Sequence, residues 1–239
     1  MVRKTVKREL SPGTVVEEVL PAGTEITGEQ SSKVVQFDGL FPTLFGEIKV
    51  NEINLQAMGK DILALADGKE NYQGGWTSFF DQTDISGVTG MNLLAQIVLG
   101  VAAAMVREQK IAADLEKPSL QMWASVIRKD GFHGIHNHAG SVVSGTFYVK
   151  VDENSSPITF MNPTRNLRMH EPKPRSREDL GPFNSEIAVM QPTPGQMYVW
   201  PSWLEHFVDK HRGSEPRIAV SFNVDYPWDV GNADQTDSQ

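Results

Sequence analysis

The stretch His133-Gly-Ile-His136-Asn-His138-Ala-Gly-Ser-Val-Val-Ser-Gly-Thr-Phe-Tyr148 decides how the chain is read. Three of its six histidines stand at the entrance to an apolar run. Residues two apart on a strand project to one face, so His136 and His138 can offer their imidazoles to one metal ion while Asn137 points away. On a regular strand His133, three residues before His136, points to the opposite side. A His-x-His pair alone is a weak signal. It gains weight from Trp200-Pro-Ser-Trp-Leu-Glu-His206-Phe-Val and from Arg217-Ile-Ala-Val-Ser-Phe-Asn223, which add a third imidazole and a fixed cation.

Around this stretch the chain reads as short strands. Residues 120–128, 141–151, 158–161, 187–190, 196–200 and 217–224 are rich in β-branched and aromatic side chains and are separated by turn residues. Many short strands with metal-type residues on two of them predict a mainly β domain, a small antiparallel barrel or jelly roll with a pocket between its sheets. Ahead of them, Ile53, Leu55, Met58, Ile62 and Leu65 predict a helix over 51–66, stopped at Gly68, and Leu94, Ile97, Val98, Val101 and Met105 predict another over 91–113. Two helices of this kind suit a barrel that needs one outer face covered. Residues 37–50 read as a first strand, and Tyr72-Gln-Gly-Gly-Trp-Thr-Ser78 as a glycine-rich loop carrying an aromatic. The expected organisation is an N-terminal arm or small hairpin over 1–35, the barrel domain over 36–228 and a polar, frayed tail over 229–239. Residues 164–187, too polar for a core strand, form a long loop or lid.

Composition narrows the chemistry. A formal net charge of −8 over 239 residues argues against sequence-independent nucleic-acid binding, which needs a basic surface. Without cysteine there is no disulfide framework, no thiolate metal site and no cysteine nucleophile, so nitrogen and oxygen must hold any metal. The basic start of the chain lacks the apolar core of a secretory signal, and the longest apolar run, 91–106, is interrupted by Asn92, Gln96 and Gly100. That run falls short of the roughly 20 residues a bilayer requires. A cytoplasmic protein without a membrane role is expected. Exposed apolar residues on the first helix permit a homodimer without requiring one.

If His136, His138 and His206 converge, three neutral imidazoles with open positions suit Fe(II), Zn(II), Cu(II) or Ni(II). Arg217 lies eleven positions beyond His206, behind a turn at Lys210-His-Arg-Gly-Ser214 that folds it back beside the ligand strand. An arginine inside a barrel needs an anionic partner, and its planar fork matches a carboxylate. A small diacid that chelates the metal at its other end satisfies both.

The order His-x-His, Ser-Gly-Thr-Phe-Tyr, Pro-Ser-Trp-Leu-x-His and Arg-Ile-Ala-Val-Ser-Phe-Asn resembles the iron(II)- and 2-oxoglutarate-dependent oxygenases, most closely their bacterial and phage branch related to prolyl hydroxylases. The resemblance runs from about residue 37 to 226 and includes Leu40-Phe-Pro-Thr43 and Gly74-Gly-Trp-Thr-Ser78. It implies a double-stranded β-helix of cupin-like form and the use of Fe(II), O2 and 2-oxoglutarate. It also implies a dioxygenase reaction, the hydroxylation of a peptidyl residue or a small amino-acid-like molecule with release of succinate and CO2. By position, His136 and His206 match the two iron histidines of the family, Arg217 its arginine for the distal carboxylate of 2-oxoglutarate, and Tyr148 the tyrosine that touches the same carboxylate. Ser221, on the face shared with Arg217, is placed to bond the cosubstrate or a water, and Asn223 continues that face.

The chain departs from the family where the usual triad carries Asp or Glu, two residues after the first histidine. His138 stands there, which implies a triad of His136, His138 and His206 and a metal site poorer by one negative charge. In a second arrangement His138 faces the substrate and a water takes the third position. Two other functions fit the residues: a three-histidine cupin-like metalloenzyme that does not use 2-oxoglutarate, and a non-catalytic jelly-roll binding module. Arg165, Arg168, Trp123, Ser125 and Arg128 are candidates for the pocket rim, although such arginines are commonly solvated and Trp123 reads as core. His170 and His211 read as surface groups.

Overall fold

The computed structural model describes residues 5–11, 14–19, 42–167, 174–181 and 184–228. The expected tail over 229–239 lies outside them, as do residues 37–41 of the expected first strand and Arg168 and His170 of the long loop. Two units make up the chain, Met1–Pro42 and Thr43–Gln239. In the first, β1 (Thr5–Ser11) and β2 (Thr14–Val19) pair as an antiparallel hairpin with a register shift between Glu9 and Ser11.

The second unit runs β3 (Gly46–Lys49), α1 (Leu55–Leu65), β4 (Gly75–Thr77), α2 (Ser78–Asp81), α3 (Met91–Glu108), β5 (Ser119–Ile127), β6 (His133–His136), β7 (Val143–Lys150), β8 (Ile158–Met161), β9 (Ile187–Met190), β10 (Gln196–Pro201), β11 (His206–Val208) and β12 (Arg217–Asp225). A single 3-10 turn, Arg177–Asp179, interrupts the long loop. The strands form a six-stranded sheet in the order β3-β10-β7-β12-β5-β4 and a four-stranded sheet in the order β6-β11-β8-β9. The pairs in both sheets are antiparallel. The two sheets packed over a shared core make a double-stranded β-helix.

Strand alternation explains the two cores. Phe147, Val149, Met197, Val199, Ile218, Val220 and Phe222 point from the large sheet to the helices, where they meet Met58 and Ile62 of α1 and Leu94, Val98 and Ala102 of α3. The intervening residues Tyr148, Tyr198, Trp200 and Ala219 point the other way, into the barrel, against Ile158, Phe160 and Val208 of the small sheet. A central strand covered on both faces reads as a continuous apolar run, as β7 does. Gly145 of that strand is obligatory, because a Cβ there would collide with the Phe222 ring and the Tyr198 carbonyl.

The helices are fixed at their ends. Asn54 caps α1, accepting from Ala57 N at 3.1 Å, and Asp61 on α1 accepts from Thr89 N at 2.9 Å just ahead of α3. Arg128 donates to the carbonyls of Ala66 and Lys69, each at 3.1 Å, and so closes the C-terminal end of α1. This corrects its assignment to the pocket rim. Among the described residues, α3 is the one helix long and apolar enough to cross a bilayer; here its Leu94, Val98 and Ala102 pack into the core against the sheet.

Candidate active site

β6 and β11 lie side by side in the small sheet with His136 directly opposite His206, and the barrel side of β7 and β12 closes the space beside them. His206, 4 % exposed, packs its ring on His136 at 4.3 Å and on Trp200 at 4.8 Å between centroids. His138 does not share the strand of His136, as its spacing suggested: β6 ends at His136. The loop beyond instead carries His138 to the site, where its amide donates to Ser202 O at 2.9 Å and its ring stacks parallel on His206 at 5.2 Å.

The nitrogens of the three rings are sorted by their hydrogen bonds. His136 Nδ1 lies 2.8 Å from Gly134 O and His206 Nδ1 lies 2.9 Å from Leu204 O. A carbonyl only accepts, so these Nδ1 atoms carry the proton and each Nε2 keeps its lone pair. His138 Nε2 stands 3.3 Å from His206 Nε2. One ligand nitrogen from each of the three residues lies within 4.8 Å of the others, so the set can hold a metal ion. The Asn223 side chain bonds His138 and raises its basicity, and its Oδ1 also accepts from Ser144 Oγ at 2.8 Å. Burial lowers the pKa of His206 to about 3 and that of His138 to about 4, with the neighbouring His136 acting in the same direction. Clustered lone pairs on rings that resist protonation are a site for a cation of another kind.

His133 is not on the opposite side. Three steps along β6, from His136 back to His133, face two steps along β11, from His206 to Val208, and this register shift turns the His133 ring toward His136 at 6.4 Å and Tyr72 at 5.0 Å. Burial, with the nearby charge of Arg217, holds the pKa of His133 down to about 3.

Arg217 opens β12 inside the barrel, 3 % exposed, with its guanidinium carbon 5.0 Å from the centre of the Tyr148 ring. Tyr148 is fully buried, and burial raises its pKa. Among the described residues the Tyr148 hydroxyl and Arg217 Nε find no partner at ordinary hydrogen-bond geometry, and the two side chains interact chiefly with each other. A buried cation and an adjacent phenol with only each other as partners are costly unless an anionic ligand completes them. The residues therefore fit a metal and a carboxylate-bearing cosubstrate. Ser221, four positions along β12 from Arg217, lies 3.0 Å from Thr146 Oγ1.

Other expectations are corrected by packing. Trp123 is half-buried rather than core, stacked on His138 at 5.7 Å. Ser125 is buried and bonded to Thr77 Oγ1 at 3.3 Å, away from any rim. Arg165 pairs with Glu205 at 2.7 Å. His211 is fully buried, not superficial: its Nε2 donates to Glu215 O at 2.7 Å, and the absence of a side chain at Gly213 lets the ring close under the turn.

Residues 121–223, which carry the histidine cluster, Tyr148 and Arg217, match the family described as "Putative 2OG-Fe(II) oxygenase". The family the chain matches is one of oxygenases that use Fe(II) and 2-oxoglutarate. A prolyl-4-hydroxylase from Pseudomonas putida shares the fold at 9 % identity and a TM-score of 0.53, over 77 % of this chain and 94 % of its own. A prolyl hydroxylase from Trichoplax adhaerens, solved with a hypoxia inducible factor peptide fragment, does so at 12 % identity and 0.52, over 76 % and 83 %. An oxidoreductase of the 2OG-Fe(II) oxygenase family from Burkholderia pseudomallei matches at 15 % identity and 0.33; the two share 46 % of this chain and 45 % of that one. No curated protein matches in sequence.

Proposed function

We propose that the chain hydroxylates a peptidyl residue or a small amino-acid-like molecule, with His136, His138 and His206 holding Fe(II) and Arg217, Tyr148 and Ser221 receiving 2-oxoglutarate. The observation that supports this reading is the pairing of an open three-nitrogen cluster with a buried guanidinium and phenol that have no carboxylate beside them among the described residues. Iron, when bound, supplies the oxidising chemistry that couples conversion of 2-oxoglutarate and O2 to succinate and CO2 with hydroxylation of the substrate.

Each protein group then has a defined task. The Gly134 and Leu204 carbonyls fix the tautomers of His136 and His206 so that Nε2 faces the ion, and Asn223 orients His138. Arg217 meets the distal carboxylate in two-pronged fashion, and the Tyr148 hydroxyl donates to the same carboxylate. Phe160, Tyr198 and Trp200 keep water from the floor of the site, which strengthens these charged contacts. The peptide bound by the Trichoplax relative makes a peptidyl substrate one natural choice.

Incubation of the protein with Fe(II), 2-oxoglutarate and O2 should form succinate, and His206→Ala should abolish it. No succinate above a metal-free control would refute the reading.

A further inference from the structure

A chain of ring contacts leaves one candidate metal ligand and returns to another. From His136 it passes to His133 and Tyr72, then to Phe80 at 5.1 Å, Phe79 at 5.5 Å, Trp123 at 5.2 Å, and back to His138 at 5.7 Å. The arc thus borders the histidine cluster. Phe79 and Phe80 remain 44 % and 56 % exposed on α2. The segment that carries these two rings is tied down by hydrogen bonds. Asn71 grips Thr77 by two hydrogen bonds of 2.9 Å, Ala124 N donates to Ser78 Oγ at 3.0 Å, and Trp76 Nε1 donates to Asp81 Oδ2 at 2.8 Å. Gly75 lets this segment lie flush against β5, because a Cβ there would strike the Val126 carbonyl.

The arc also lacks charge. Among the described residues, the cations set over aromatic faces are Lys69 on Trp76 and Arg217 on Tyr148, and neither ring belongs to it. Asp81 is committed to the Trp76 indole, and Tyr72, Phe79, Phe80 and Trp123, which make up the middle of the arc, are uncharged rings. A charged group laid on this surface would lose its water without gaining a counter-charge. An uncharged ring would gain edge and offset contacts.

We propose that this arc is the substrate-binding wall of the site and that it selects a substrate presenting an uncharged, ring-bearing group beside the histidine cluster. The inference rests on the oxygenase reading for its chemistry, but its test is a binding measurement. Benzamide, benzoate and benzylammonium share one ring and differ in charge, and each is titrated by ligand-observed NMR into the full-length protein with Zn(II) and 2-oxoglutarate. Benzamide should bind about tenfold more tightly than either ion, and Phe79→Ala/Phe80→Ala should weaken it about tenfold, as expected for two lost ring contacts. Trp123→Ala, which removes the ring nearest His138, should produce a similar loss. Equal or tighter binding of a charged probe, or unchanged benzamide affinity in both variants, would overturn the proposal. Succinate formation by the wild-type protein with Fe(II) is measured in parallel. If it is absent while benzamide is preferred, the oxygenase reading fails and the arc stands; if it is present without a preference for benzamide, the reverse holds.

Discussion

Replacing Arg217 with methionine should leave the free protein nearly as stable while strongly weakening its binding of 2-oxoglutarate. The guanidinium is 3 % exposed and its Nε finds no partner among the described residues, so in the cofactor-free protein it is a buried charge with incomplete compensation. Exchanging such a group for an apolar side chain of similar volume is neutral or stabilising by about 1–4 kcal/mol. The lost contact with the Tyr148 ring offsets about 1–2 kcal/mol of that. The net effect on the free protein lies between a loss of about 2 kcal/mol and a gain of about 3 kcal/mol, a shift in Tm within about 10 °C for a domain of this size. Binding responds more strongly, because leaving a buried carboxylate unpaired costs about 3–5 kcal/mol, or at least a hundredfold in Kd. Calorimetric unfolding of the free protein and isothermal titration of the Zn(II)-loaded protein with 2-oxoglutarate supply both numbers. A variant that binds 2-oxoglutarate within threefold of wild type, or whose free form is destabilised by more than about 3 kcal/mol, would show that Arg217 is a structural ion partner instead.

Acid should weaken the metal-free protein through its histidines. The folded-state pKa values of about 3 for His206 and His133 and about 4 for His138 lie below the ordinary 6.5, so the unfolded chain takes up protons first. Stability is complete above pH 6.5 and falls as pH drops toward 4, measured by urea unfolding across that range; a flat profile would contradict it. Asn223→Leu removes the partner that raises the basicity of His138 and should weaken Zn(II) binding about 10–100-fold in competition with a chelator. Unchanged affinity would take Asn223 out of the site. Gly145→Ala forces a methyl group against the Phe222 ring and the immobile Tyr198 carbonyl, and should cost about 3 kcal/mol in urea unfolding. A loss below about 0.5 kcal/mol would mean that β7 and β10 can separate freely.

The long strands β5, β7 and β12 were legible in the sequence because each is covered on one or both faces and carries its periodicity over eight or nine residues. The short strands β4, β6 and β11 were not, since three or four residues that include glycine or histidine carry no period. The histidine cluster could be anticipated from residue type and order, although the reason differs: a loop, not strand alternation, delivers His138. The place of His133 depends on the register shift opposite Val208, which leaves no mark in the spacing of residues. Trp123 looks like core because indole surface is normally buried; only the β5–β12 register, which sets it opposite Ser221, puts it at the site. The burial of His211 depends on Gly213 making room, a contact between side chain and backbone that residue type alone does not show.

The proposal that the three histidines and Arg217 form one centre for Fe(II) and 2-oxoglutarate can be checked spectroscopically. It is tested most directly by anaerobic titration of the Fe(II)-loaded protein with 2-oxoglutarate, followed by visible absorption. A charge-transfer band should appear that requires both components, disappears in His206→Ala and is displaced to higher 2-oxoglutarate concentration in Arg217→Met. Iron binding with no such band at saturating 2-oxoglutarate would contradict it.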